Sequence, residues 1–127
     1  MLVMLLLSGC AGGAAKKQAE ETAVQVNIPP ANYKADIVAL MRTYLNDPTN
    51  VRGAFVTEPA IRTVDGQSRY AACLRYNARK AAGQYAGSKD SVVVFRSGKL
   101  DRIVDNGREY CKDAAYVRFP ELERMTR

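Results

Sequence analysis

Tyr33, Ile37, Leu40, Met41 and Tyr44 fall on one side of a 3.6-residue turn, and this stripe most constrains what the chain can fold into. Lys34, Asp36 and Arg42 lie off it, so the spacing predicts an amphipathic helix from Tyr33 to about Leu45, with Asn32 as N-cap. Asn46-Asp47-Pro48 ends the helix, because the residue before a proline is pushed out of the helical region. Downstream the apolar period changes to two. One helix ahead of a run of strands specifies the α+β class.

Val51–Thr57 and Ala60–Val64 read as one strand interrupted at Pro59, hence an edge or bulged strand. Asp65-Gly66 is a turn signal into Arg69–Asn77. There Tyr70, Ala72, Leu74 and Tyr76 share one face, and Arg69, Cys73 and Arg75 the other. Ala78–Lys89 is a loop of small residues. Val92–Phe95 is apolar on both faces, as expected of a central strand, and Arg96–Lys99 turns into Leu100–Val104. Asn106-Gly107 ends that hairpin. The last twenty residues, with Cys111, Tyr116, Phe119 and Leu122, form a covering segment with room for a helical turn.

At the start of the chain a leucine run closes on Leu7-Ser8-Gly9-Cys10. An aliphatic residue, two small ones and a cysteine resemble the lipobox of bacterial lipoproteins. The resemblance implies that Cys10 is lipidated with diacylglycerol and palmitate, and that residues 1–9 are a signal peptide. The leader is short and carries no Lys or Arg, so the expectation is a truncated start. Met1–Leu7 also fits an ordinary secretory h-region or a buried strand, and is too short to span a bilayer. Ala11 to about Gln25 has too little apolar content to pack, which makes residues 10–27 a flexible tether. Val24, Val26 and Ile28 alternate, an extended entry stopped by Pro29-Pro30. Residues 28–127 are then a single small domain.

With Cys10 given to lipid, Cys73 and Cys111 remain. Outside the cytoplasm two leftover cysteines in one small domain usually pair, and this bridge would tie the C-terminal segment across the face without the helix. Two buried reduced thiols are the alternative. No Cys-x-x-Cys spacing supports a redox or metal role. The expected fold is therefore an N-terminal helix on a three- to four-stranded antiparallel meander, with a disulfide-tied C-terminal segment.

The chain has no histidine, which removes imidazole-based nucleophilic sites, imidazole zinc sites and the commonest general base near neutral pH. A non-enzymatic protein without cofactor or metal is expected. The net charge of +6 falls wholly on Val51–Arg127, which holds fifteen basic and nine acidic residues. Arg69, Arg75, Arg79, Lys80 and Lys89 occur with no acidic residue from Arg69 to Lys89. With Tyr76 and Tyr85 they are a candidate platform for a phosphate, a glycan or an acidic protein surface; the plainer reading is a solvated strand face. Asp101, Asp105, Glu109 and Asp113 lack the spacing of a calcium loop or an acid pair and read as solvent-facing charge. Aromatic-basic nucleic-acid motifs are absent, so no nucleic acid is expected.

In outline the domain is similar to the small envelope lipoproteins of the BamE type, and more generally to small alphaproteobacterial envelope lipoproteins. The first likeness is architectural and rests on no shared domain motif. It implies a lipid-anchored protein facing the periplasm that binds another envelope protein or an anionic lipid or glycan. A small-ligand or glycan carrier is the alternative, and needs a pocket between helix and sheet. Ala11 rather than Asp after Cys10 points to the outer membrane under the enteric sorting convention.

Overall fold

The computed structural model describes residues 26–105 and 107–127; the tetrad at Cys10, residues 10–25 of the expected tether, Val24 among them, and Asn106 lie outside them. Helix α1 (Tyr33–Tyr44) follows the stripe and buries Ile37 and Met41 completely. Asn32 precedes it, and its carbonyl accepts the Asp36 N–H at 3.0 Å, but its side chain caps nothing. With ψ at 38° rather than extended, Asn32 is outside the usual capping conformation. Val26 has helical backbone and Asn27 is a turn residue, so at these two positions the entry is not the extended piece that alternation suggested.

Six strands follow: β1 (Asp47–Val56), β2 (Ala60–Val64), β3 (Gln67–Arg79), β4 (Lys89–Arg96), β5 (Lys99–Val104) and β6 (Val117–Arg118). All pair antiparallel in the order β5-β4-β3-β1-β6, with β2 also on β3. Because β1 pairs with the C-terminal half of β3 and β2 with the N-terminal half, they act as one strand broken around Pro59. The sheet is larger than the three- to four-stranded meander expected, and β6 returns to the far side beside β1. The helix lies at 33–44, inside the chain rather than at its N-terminus.

Asp65-Gly66 and Ser97-Gly98 both have positive φ at each position, the two-residue geometry that matches strand twist. They set Val64 opposite Gln67 and Arg96 opposite Lys99.

The period-two pattern of β3 separates two cores. Ala72, Leu74 and Tyr76 face α1 with Val93 and Phe95, while Tyr70 packs half-buried at the margin. Ala71 and Cys73 face the other way with Val92, Val94 and Cys111. Cys73 and Cys111 form a disulfide with Cα atoms 6.0 Å apart, and it holds α2 (Gly107–Tyr110) and the chain after it against the sheet face without α1. The covering segment does not stay there. After β6 it reaches the α1 side, where Phe119, Leu122 and Met125 around α3 (Pro120–Glu123) are buried in the helix-side core. Full burial of each such side chain contributes about 1.5–3 kcal/mol.

Candidate functional site

The proposed platform is not one surface. Arg69 and Arg79 sit ten residues apart on β3, about 33 Å at strand rise. Between them Arg75 is engaged: its Nε and Nη2 donate to the Asp90 carboxylate at 2.7 and 3.2 Å, and its guanidinium lies 4.4 Å from the Tyr116 ring centre. Tyr76 is 4 % exposed and faces α1, so it joins no exposed platform with Arg69 or Arg75. The alternation that put it opposite Cys73 required this.

What does come together is the C-terminal end of β3. Loop 80–88 folds back on it: Ala86 N–H donates to the Ala78 carbonyl at 3.0 Å, and Gly87 N–H to Asn77 Oδ1 at 2.9 Å. This seats Tyr85, whose hydroxyl donates to the Asn50 carbonyl at 2.7 Å. The Arg79 guanidinium lies 5.1 Å from the Tyr85 ring centre and that of Arg52 lies 4.1 Å from it. Arg52 gets there because β1 is irregular on both sides of it, with positive φ at Asn50 and Gly53; bulges re-aim side chains in this way.

Beside the stack lies a pocket of about 240 Å³ lined by Tyr44, Asn46, Tyr76, Arg79, Lys80 and Lys89, among others. Register brings Lys89 directly opposite Tyr76. Asp105 accepts from Lys89 Nζ at 3.1 Å and from the Tyr44 hydroxyl at 3.2 Å. Burial pulls the Lys89 ammonium down, and the hydrogen bond and charge of Asp105 outweigh it, so its pKa is raised. Burial raises Tyr76, and burial with Asp105 raises Tyr44. Asp47 lies 4.0 Å from Arg79 and 3.8 Å from Arg127. Hydrogen bonds from the Thr49 hydroxyl and N–H hold its carboxyl below the usual range. No carboxylate lines the pocket itself.

Arg69 belongs to a second cleft, of about 410 Å³, on the disulfide face. Arg96 and Arg102 line it too, but so do Asp65 and Asp101, and Asp65 pairs with Arg102 at 3.0 Å. Sequence reading missed Arg52, Asn46, Arg96 and Arg102 as site residues, and it read Tyr44 as core and Asp105 as free surface charge. Nothing in local spacing links Arg52 to Tyr85; the β1 irregularities do.

Among the described residues no His, Cys, Asp or Glu cluster could hold a metal, and no helix is long and apolar enough to cross a membrane. Compared with known proteins, the chain matches no family model, no curated protein and no solved structure.

Proposed function

We propose that this chain is a lipid-anchored protein of the bacterial envelope, facing the periplasm, which binds another envelope component and catalyses nothing. The observation that carries the reading is the Cys73–Cys111 bridge. Such bonds persist in oxidising compartments, and this one leaves Cys10 as the single thiol for a lipid. Ala11 makes the outer membrane the side of choice. The cation-rich end of β3 supports an anionic partner, an envelope protein or an anionic lipid or glycan.

The test is incorporation of labelled palmitate in bacterial cells, with and without Cys10→Ser, followed by membrane fractionation. Label and membrane association should both disappear in the variant. A wild-type chain that takes up no label and fractionates as soluble would refute the anchor.

A second reading, a small-ligand or glycan carrier, is favoured by one feature. An open groove of about 650 Å³ runs between α1 and the β4–β5 turn, lined by Ile28, Leu40, Leu100 and Asp36 among others. Against it, the centre of the helix–sheet seam is filled by the fully buried Ile37, Met41, Leu74 and Val93. A carrier should copurify with a small molecule visible by native mass spectrometry; a bare mass would count against it.

A further inference from the structure

We infer that the pocket between the end of α1 and the end of β3 binds a phosphoryl group, with Arg79, Lys80 and Lys89 as its cations. The inference deepens the binding role proposed above, and depends on it only for where the phosphate comes from.

Among the described residues three cavities compete. The groove beside α1 has a mostly apolar lining and one cation, Lys99, against Asp36. In the disulfide-face cleft Asp65 and Asp101 are part of the wall, so an entering anion meets two carboxylates. In the β3-end pocket the carboxylates that balance Lys89 and Arg79, Asp105 and Asp47, lie outside the lining. They fix the cations while the wall stays positive. Among the described residues the Lys80 ammonium makes no ion pair. The C-terminal end of α1 opposes an anion with about half a negative charge; with Lys89 and Arg79 balanced by Asp105 and Asp47, the full unpaired charge of Lys80 outweighs it.

The donor set selects the group. A guanidinium fork, two ammonium point charges, the Asn46 amide and the Tyr76 hydroxyl exceed what the two oxygens of a carboxylate use. A phosphoryl group offers three charged oxygens. Size limits the rest. At about 240 Å³ the pocket is below the roughly 300–1,000 Å³ of sites that swallow whole ligands, so it takes the terminal group of something larger or phosphate itself.

The experiment uses the full chain carrying Cys10→Ser and follows its backbone amides by NMR while inorganic phosphate is added. Saturable shifts should centre on Asn46, Lys80, Gly87 and Lys89. Lys80→Glu, at an exposed side chain without a bonding partner in the described fold, should weaken binding about tenfold. Lys112→Glu makes the same charge change at an exposed position in the segment that follows α2, and should leave binding unchanged. Equal weakening by both, or shifts spread over the surface, would mean diffuse attraction and overturn the site. Vesicles of phosphatidylcholine with and without phosphatidic acid identify the source. Retention that needs phosphatidic acid and is lost in Lys80→Glu assigns a lipid phosphomonoester. Phosphate binding without retention assigns a soluble one, and either result sustains the pocket. Failed palmitate labelling of the native chain would remove the anchor and leave these shifts intact.

Discussion

Thr57 and Cys73 are joined twice across the break between β1 and β2: the Thr57 N–H donates to the Cys73 carbonyl at 3.0 Å, and the Thr57 hydroxyl accepts the Cys73 N–H at 2.8 Å. The side chain replaces the backbone acceptor that the strand loses next to Pro59. Thr57 is buried, so no water substitutes for it. Thr57→Val keeps the shape and removes the oxygen, leaving a buried N–H unpaired at a cost of about 1–3 kcal/mol. Urea unfolding checks this. Thr57→Ser should recover most of the loss, and a Val variant as stable as wild type would show that the hydroxyl is dispensable.

The same cysteine carries the bridge to Cys111, which closes a loop of 38 residues. For that length the chain-entropy model gives about 4 kcal/mol. Replacing both cysteines with alanine should lower stability by about 2–4 kcal/mol. In Cys10→Ser protein, a thiol reagent under denaturing, non-reducing conditions should find nothing to label. Two labels per chain would refute the bridge.

Gly107 opens α2 against the Asp90–Ser91 peptide, and a Cβ there would overlap that backbone. Helix propensity alone predicts that Gly107→Ala stabilises by up to about 1 kcal/mol. Overpacking against backbone predicts a loss of about 1–3 kcal/mol. The close approach decides the sign, and thermal unfolding should show the alanine variant melting lower. A higher melting temperature would contradict it.

Burial raises the Tyr76 pKa above its unfolded value of 10.0, because the phenolate is penalised inside the core. The stability this contributes is fully present below that value and is lost as pH rises through the folded pKa. Tyr76→Phe should therefore lose less stability than wild type between neutral pH and about pH 11. Tyr44 and Tyr116 are raised too, so some decline remains. Urea midpoints measured across that range check it; parallel curves for the two proteins would refute the assignment.

Patterns within one element were legible in the sequence. The stripe from Tyr33 to Tyr44 gave α1, alternation from Tyr70 to Tyr76 gave the two faces of β3, and setting Cys10 aside left Cys73 and Cys111 to pair. What was not legible depends on pairing between elements. Val117-Arg118 is a strand only because Phe55 and Val56 lie beside it, and two residues carry no period. The basic patch divides between separate places for a related reason. Charges close in sequence along an extended strand are far apart in space, while Lys89 meets Tyr76 across a register that no local pattern encodes.

Phe119, Leu122 and Met125 share one core with Ile37 and Met41 from the opposite end of the described fold. A chain emerging residue by residue, from a ribosome or through a translocation pore, thus leaves part of the helix-side face of β1 uncovered until residues 119–125 arrive. Folding cannot be completed piecemeal. The packing of α3 on β1 is what covers that part of the face, so the helix-side core closes only once both flanks of the sheet are present.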